Sequence, residues 1–183
     1  MALLHTPQKD GTLHAPDFTL KNIDGQMLSY DNVKGEKGTV VAFICNHCPY
    51  VQAIIKRFVH DAKNMQSHGI GIVAIMPNDT DNYPEDSFEN MQKFAAEHNF
   101  NFPYLIDETQ NVAKAYDAIC TPDIFGFNAD GQLQYRGRLD SAGPNEANED
   151  TVKELLVAML QIADTGTGPT NQAASMGCSI KWK

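Results

Sequence analysis

Two cysteines separated by two residues, Cys45 and Cys48, are the side chains whose type and spacing point most directly to chemistry in this 183-residue chain. A thiolate attacks a disulfide to form a mixed disulfide, and a second thiol close by can attack that intermediate and release the reduced partner. We therefore predict a two-electron switch in which Cys45 attacks and Cys48 resolves. Its partners would be disulfides.

The sequence around the pair predicts the elements that position it. Residues 39–44 form an unbroken apolar run, which is typical of a buried strand in a parallel sheet. Pro49 suits the first turn of a helix, where its missing amide would have no partner, and apolar residues follow with helical spacing: Val51, Ile54, Ile55, Phe58 and Val59. We expect an exposed strand-to-helix turn, where free amides and the helix dipole lower the pKa of Cys45.

His47 lies between the two cysteines and could tune them. An imidazole there can donate to a thiolate or, when protonated, pair with it; a surface histidine without a role fits the sequence equally well. Other interpretations of the pair are inert buried thiols and a metal-binding module of Cys45, His47 and Cys48. A structural zinc site needs four ligands, and the sequence has no second Cys-x-x-Cys and no His-x-x-x-His. Redox chemistry is therefore favoured, and no metal or other cofactor is predicted.

Length and charge limit the function classes. The chain is long enough for one domain with a substantial core. Its 14 Lys and Arg against 23 Asp and Glu give a net charge of −9, which argues against a nucleic-acid or anionic-membrane surface. No window approaches the roughly 18 apolar residues of a membrane helix. The first residues lack the pattern of a secretory signal, so we predict a cytoplasmic location, where Cys-x-x-Cys is more often catalytic or metal-binding than structural.

The chain divides by composition into an N-terminal leader at 1–14 with little to bury, a domain at 15–163, and a tail at 164–183. The tail is expected to be loosely held up to Met176 and then to dock through its only tryptophan, Trp182. Within the domain, two short alternating segments around Asp24-Gly25 predict a hairpin. The apolar run 70–76 predicts a second buried strand and, with the first strand and helix, a βαβ unit.

The second half of the domain predicts alternating short elements. A helix is expected from Pro84, a strand at 102–106 and a short helix capped by Asp107 or Thr109. Asp130-Gly131 predicts the turn of a β-hairpin. A final amphipathic helix is predicted from five apolar residues at helical spacing: Val152, Leu155, Leu156, Met159 and Ile162.

Together these features resemble the thioredoxin fold, and most of all its redoxin branch, which includes the AhpC/TSA family and thioredoxin-like disulfide reductases. The resemblance runs from about Ala15 to Ala163, and its specific motifs are residues 45–49 and Thr121-Pro122. It implies an α/β fold with a central mixed sheet flanked by helices, an N-terminal hairpin and an inserted helix and strand. It also implies that Pro122 is cis and packs beside the dithiol, that the Thr121 backbone pairs with a substrate chain, and that an external thiol serves as reductant.

The sequence departs from thioredoxins around the dithiol. Ile44 replaces their tryptophan and Asn46-His47 replace their Gly-Pro. A histidine at the second position resembles disulfide isomerases, where it makes the disulfide more oxidising. The central strand carries no counterpart of the thioredoxin buried acid; three carboxylates could substitute, and the sequence does not select among them: Glu85, Asp86 and Asp123.

A peroxiredoxin-like thiol peroxidase is the alternative function, with peroxides as substrates and an antioxidant role. The threonine and proline that precede the reactive cysteine in peroxiredoxins are absent before both Cys45 and Cys48, so this interpretation is weaker. Arg136 and Arg138 could supply a cation, although ordinary strand-end charges are the simpler interpretation.

Two further cysteines are not explained by the dithiol. Cys120 precedes Thr121-Pro122 and is more simply interpreted as a small buried hydrophobe than as a redox thiol. Cys178 lies on the tail and is either a third redox thiol, resolving Cys45 or pairing with Cys120, or a spectator. The distances between the sulfurs decide between these roles.

Overall fold

A seven-stranded mixed sheet forms the centre of the protein, whose computed structural model describes residues 2–7 and 11–183. The strand order is β3-β2-β6-β5-β4-β8-β9. The strands of this sheet are β2 (Thr19–Asn22), β3 (Met27–Ser29), β4 (Gly38–Phe43), β5 (Ile70–Met76), β6 (Tyr104–Ile106), β8 (Asp123–Asn128) and β9 (Leu133–Arg136). The helices are α1 (Tyr30–Val33), α2 (Pro49–Ser67), α3 (Phe88–Glu97), α4 (Asn111–Ala115) and α5 (Glu154–Thr165). The predicted α/β class with a central mixed sheet and flanking helices is confirmed.

β4 is the central strand that leads to the dithiol. It pairs in parallel with β5 on one side and antiparallel with β8 on the other. Every residue of β4 is buried, because its two faces pack against two separate hydrophobic clusters. One cluster includes Ile55 and Phe58 of α2, and the other includes Phe125 and Tyr116. Continuous apolar sequence is the signature of such a strand.

The local turn signals are confirmed. β2 and β3 form the predicted hairpin, with Gly25 at φ +88°, and β8 and β9 form the second, with Gly131 at φ +77°. Positive φ is accessible to glycine without a steric penalty. α2 begins at Pro49 as predicted and ends at Ser67, before His68 and Gly69. No helix within residues 2–7 and 11–183 is long and apolar enough to cross a membrane.

Both ends of the chain are more ordered than the sequence suggested. A second sheet has the order β1-β10-β7, where β1 is Leu3–His5, β10 is Met176–Ser179 and β7 is Cys120–Thr121. The segment described above as a leader with little to bury therefore contributes a strand, β1, to this sheet. The tail does return to the body, but Trp182 is 43% exposed, whereas Ile180 is 3% exposed. The aliphatic side chain, and not the tryptophan, anchors the end of the chain.

Three helix starts differ from the predictions. Pro84–Asp86 forms a separate 3-10 helix, and α3 begins at Phe88 after the Ser87 cap. Gln110 occupies the N-cap position of α4, but the predicted capping contact does form, because Asp107 Oδ2 accepts from the Ala113 amide of the first turn at 2.8 Å. Val152 lies before α5 and is 55% exposed, so it does not belong to the buried face. Local propensity places such boundaries only to within a few residues.

Candidate active site

The dithiol lies at the turn between β4 and α2, as predicted. Cys48 is the N-cap residue of α2 and Pro49 its first residue, so the sulfur of Cys48 lies at the positive end of a 19-residue helix. Cys45 lies at the same turn, and the two thiols shift each other's pKa in opposite directions.

The expectation that this turn is exposed is wrong. Cys45 is 1% exposed and Cys48 is 0% exposed. The cover is made by parts of the chain distant in sequence: Thr121 contacts both sulfurs, and Cys178 of β10 contacts Cys48. A strand-to-helix turn is exposed only when no other element packs on it, and here β10 does.

Thr121, the residue before Pro122, contacts the dithiol directly. The Thr121-Pro122 peptide bond is cis, as the resemblance implied. Thr121 Oγ1 lies 3.3 Å from Cys45 Sγ, and Thr121 O lies 3.1 Å from Cys48 Sγ. However, Cys178 is already the residue opposite Thr121 in the antiparallel pairing of β10 with β7. The substrate-pairing role of Thr121 and Pro122 stays a prediction, and an incoming chain would meet β10 at this edge.

The surroundings of Cys48 favour its charged form. The Thr121 carbonyl can only accept, so its contact with Cys48 Sγ favours the protonated thiol. Interaction with Cys45 is the largest cause that lowers the pKa of Cys48, to about 5; Cys178 and the backbone of Val51 act in the same direction, and together they outweigh burial.

The pKa of Cys45 shifts the other way. Its interaction with Cys48, its burial and the charge of Asp86 raise it, in that order of size, against a smaller opposing effect of Thr121. The expectation that the helix lowers the pKa of Cys45 is therefore wrong, because the helix cap is the next cysteine.

Asp86 is the buried acid of the site. It is 0% exposed. Its Oδ2 lies 2.7 Å from His47 Nδ1 and accepts from Asn78 Nδ2 at 2.8 Å, while its Oδ1 accepts from the Asn46 amide at 2.8 Å. Of the three carboxylates that the sequence left open, the structure brings only Asp86 into contact with the turn between the cysteines through its side chain.

The His47-Asp86 contact shifts both pKa values toward the charged forms. The hydrogen bond to Asp86 raises the pKa of His47 against the opposing effect of burial. Burial is the largest effect on Asp86 and acts to raise its pKa, but hydrogen bonds from His47, Asn78 and the Asn46 amide together lower it. His47 is therefore not a free surface side chain, because it hydrogen-bonds to a buried carboxylate beside the dithiol; its role in tuning the cysteines stays a prediction.

Two contributors to the site lay outside the sequence-based candidates. Asn78, directly after Pro77, holds Asp86, and the Tyr104 hydroxyl donates to Asn46 Oδ1 at 3.0 Å. Asn46 also donates to the Glu85 carbonyl at 3.1 Å. A polar residue after the end of β5, Asn78, was the signal in the sequence that could have indicated this contribution. Only the fold brings it close to the cysteines.

A metal-binding arrangement was the third sequence hypothesis. The group that the structure forms is Cys45, His47 and Asp86, whose ligand atoms lie within 4.8 Å of one another, and Cys48 is not part of it. His47 Nδ1 and Asp86 Oδ2 are 2.7 Å apart, which is a hydrogen-bond distance that a metal between them would have to replace. The geometry favours the ion pair.

The remaining candidates lie apart from the dithiol chemistry. Arg136 bonds Asp123 at 2.9 Å and Arg138 bonds Glu154, so both arginines already have carboxylate partners. Cys120 is 0% exposed and its sulfur contacts the Pro122 carbonyl at 3.5 Å. Burial raises the pKa of Cys120 far above its usual value. These contacts fit the simple interpretation of Cys120 as a buried small side chain.

Cys178 is the thiol that the structure adds to the pair. Its sulfur lies 3.0 Å from Cys48 Sγ. It is 5% exposed, and burial followed by the neighbouring Cys48 raises its pKa to about 12. A pairing with Cys120, which the sequence left open, is not the contact that forms.

A model of the AhpC/TSA family matches residues 12–136 of this chain. The chain belongs to the AhpC/TSA family. Among curated relatives, it is 27% identical over 119 residues to the thiol-disulfide oxidoreductase ResA of Bacillus subtilis, a match over 65% of this chain and 62% of ResA. The chain thus matches less than two thirds of the length of that relative.

Solved structures agree with the fold. An uncharacterized conserved protein from Geobacillus kaustophilus is 43% identical, with a TM-score of 0.93 over 100% of this chain and 97% of that chain. The thioredoxin domain of a thiol-disulfide oxidoreductase from Bacteroides vulgatus is 17% identical, with a TM-score of 0.59 over 70% and 88%. At that identity the likeness speaks for the fold alone, which is the thioredoxin fold.

Proposed function

We propose that this AhpC/TSA protein is a thiol-disulfide oxidoreductase whose reactive pair is Cys45 and Cys48. The observation that carries the proposal is the position of both cysteines at the start of α2, with Thr121 in contact with both sulfurs. The pKa of Cys48 is lowered to about 5, so the pair holds a thiolate at neutral pH, and the thiolate is the reactive form. The name of the relative ResA supports the same reaction class.

The exchange runs in two steps. Cys45 sulfur attacks one sulfur of the partner disulfide while its proton passes to the Cys48 thiolate; the Cys45-partner bond forms, the partner disulfide breaks, and the leaving sulfur takes the electron pair. Cys48 then loses that proton and attacks Cys45, so the Cys45-Cys48 bond forms and the second partner sulfur leaves. Two electrons pass from the dithiol to the partner. An external thiol reductant restores the pair.

His47 and Asp86 handle the proton and hold the turn in this proposal. A proton must leave the pair before the Cys45-Cys48 bond forms, and the ring nitrogen of His47 lies within 4.8 Å of Cys45 Sγ. A histidine with an adjacent carboxylate is the common device for moving protons near neutral pH. Asp86 touches His47 and the amides of Asn46 and His47, and not a reacting sulfur. It is therefore a positioning residue that acts through His47.

Reduction of insulin by dithiothreitol tests the proposal. The wild-type protein should accelerate the reaction, Cys45→Ser should abolish the acceleration, and Cys120→Ser should retain it, because Cys120 is equally buried but its sulfur contacts a carbonyl outside the pair. If Cys45→Ser and Cys120→Ser reduced insulin at the same rate as wild type, the proposed function would be wrong.

A thiol peroxidase is the second candidate, because burial of both sulfurs admits a small oxidant more readily than a protein chain. Cys45 would become a sulfenic acid as the peroxide bond breaks, and Cys48 would condense with it, releasing water. This is tested by measuring how fast the protein consumes hydrogen peroxide when a thioredoxin system supplies the electrons. A rate that depends on Cys45 and exceeds the rate of insulin reduction would favour the antioxidant role. Neither candidate depends on the cytoplasmic location, which stays a prediction.

A further inference from the structure

Three sulfurs, and not two, form the reactive cluster. Cys45 and Cys48 both contact Thr121, and Cys48 Sγ lies 3.0 Å from Cys178 Sγ. Cys48 is therefore the central sulfur, with a thiol on each side. Of the three residues Cys178 is the most exposed, at 5% against 1% for Cys45 and 0% for Cys48.

The position of Cys178 is built by its whole strand. β10 pairs with β1 on one side and β7 on the other, which places Cys178 opposite Thr121. Beyond the strand, the Lys181 amide donates to Asn78 Oδ1 and the Lys181 carbonyl accepts from the Asp79 amide, both at 2.9 Å. The end of the chain is thus bonded to the same loop that holds Asp86.

Gly177 permits the close approach. A Cβ added at Gly177 would overlap the Thr121 carbonyl and lie 2.9 Å from Pro122 N. Only a residue without a side chain therefore allows β10 to lie directly against the Thr121-Pro122 segment. Gly177, which precedes Cys178 in β10, therefore allows the close approach that brings Cys178 to the dithiol.

We propose that Cys178 is a third redox thiol, which takes over the disulfide from Cys45-Cys48 and regenerates Cys45 within the same molecule. The proposal rests on the function proposed above, because that reaction supplies the Cys45-Cys48 disulfide. It assigns to β10 the role of an internal exchange partner, in addition to that of a cover over the sulfurs.

The step is balanced and needs no further oxidant. Cys178 loses its proton and its sulfur attacks Cys48 Sγ; the Cys48-Cys178 bond forms and the Cys45-Cys48 bond breaks. The electron pair goes to Cys45 sulfur, which then accepts a proton. The number of disulfides is unchanged. An external thiol subsequently reduces Cys48-Cys178 at the more exposed end of the cluster.

The charge distribution supports this order of events. In the dithiol state the interaction with Cys48 and its charge add to burial in raising the pKa of Cys178, so Cys178 is a thiol. Once Cys48 is part of a disulfide it carries no charge, and that contribution disappears. Cys178 becomes more reactive only after the first disulfide has formed.

Tryptic mapping of the full-length protein separates the two disulfides. Cys45 and Cys48 share the peptide 38–56, whereas Cys178 lies in the peptide 154–181. The protein is equilibrated in glutathione redox buffers, quenched with acid, alkylated and digested without reduction. A Cys45-Cys48 disulfide leaves peptide 38–56 unlinked, and a Cys48-Cys178 disulfide links it to 154–181 with the label on Cys45.

We expect the linked peptide in the wild type and in Cys45→Ser, and its absence in Cys178→Ser. Cys120→Ser is the matched control and should give the wild-type pattern. Gly177→Ala keeps the thiol but displaces the strand, so the linked peptide should fall about tenfold or more, since proximity is what makes the exchange intramolecular. Circular dichroism checks that each variant is folded.

The proposal is overturned if neither the wild type nor Cys45→Ser forms the linked peptide in buffers that fully oxidise peptide 38–56 in the wild type. The insulin assay distinguishes that result from failure of the proposed function. If only the exchange with Cys178 is wrong, insulin reduction still depends on Cys45. If insulin reduction does not depend on Cys45, the proposed function itself is wrong.

Discussion

Two aspartates, Asp86 and Asp123, are both 0% exposed and both contact a basic side chain, but they differ in the partner. Asp86 pairs with His47 at 2.7 Å, and Asp123 pairs with Arg136 at 2.9 Å. Histidine exchanges its proton near neutral pH, whereas arginine stays charged at every pH at which the protein is folded. The first pair can therefore take part in proton transfer, and the second can only hold structure.

The surroundings of the two pairs agree with this difference. Burial raises the pKa of Asp123, against the opposing effect of Arg136, whereas the donors around Asp86 lower its pKa. Asp123 also accepts from the Ile119 amide at 3.1 Å, and Arg136 donates to the Asp117 carbonyl at 2.7 Å. The Arg136 pair thus fastens the segment before Pro122 to β9. The His47 pair fastens the turn between the cysteines.

Removing Asp123 should produce the largest change in stability. Asp123→Ala leaves the Arg136 guanidinium buried without a counter-ion, and breaking a buried ion pair costs about 3–5 kcal/mol of the free energy of unfolding. Urea denaturation measures it. Glu89→Gln, which removes the exposed Glu89-Lys93 pair, is the control and should leave stability unchanged. Equal stability of the two variants would contradict the structural role of Asp123.

Asp86→Asn should affect the rate of insulin reduction more clearly than the free energy of unfolding. With a neutral partner the pKa of His47 is no longer raised, so His47 loses its proton at a lower pH. We expect insulin reduction to slow about tenfold to a hundredfold, the usual range for loss of one proton-transfer group. The pH profile of the rate should also lose the limb that His47 contributes. A slower rate with an unchanged profile would show that Asp86 only maintains the fold.

The His47-Asp86 pair should also make the free energy of unfolding depend on pH, an effect smaller than the two above. The raised pKa of His47 adds stability that is complete below its unfolded pKa, about 6.5, and is lost as pH rises through the folded value. The lowered pKa of Asp86 adds stability above its unfolded pKa, about 4, that is lost as pH falls through the folded value.

The excess stability of the wild type over His47→Gln should therefore be greatest between about pH 4 and about pH 6.5. Urea denaturation of both proteins from pH 4 to pH 9 measures it. A stability difference that stays constant across this range would mean that His47 is not paired with Asp86 in solution.

The sequence could predict what local patterns encode. The apolar run of β4, Pro49 at the start of α2 and Asp130-Gly131 in the β8-β9 turn each act within a few residues, and the structure agrees with all three. The position of Cys45 and Cys48 at one turn follows from their spacing alone. The thioredoxin fold follows from the order of these elements.

The rest depends on contacts between distant parts of the chain. Cys178 is 130 residues from Cys48, and β10 has only four residues, without an alternating apolar pattern. Asp86 was indistinguishable from Glu85 by sequence, since both begin a helix, and only the packing of the 3-10 helix against the turn selects one. The burial of the sulfurs and the charge on Cys48 follow from these same contacts.

Redox titration of Cys178→Ser tests the central claim most directly, because it removes the competing thiol and leaves Cys45 as the disulfide partner proposed for Cys48. The variant is equilibrated in glutathione buffers of increasing oxidation, quenched with acid, alkylated and digested with trypsin. The mass of peptide 38–56 is then measured. We predict one two-electron transition in which the peptide passes from two alkyl labels to none. Two labels that persist in the most oxidising buffer would contradict the account.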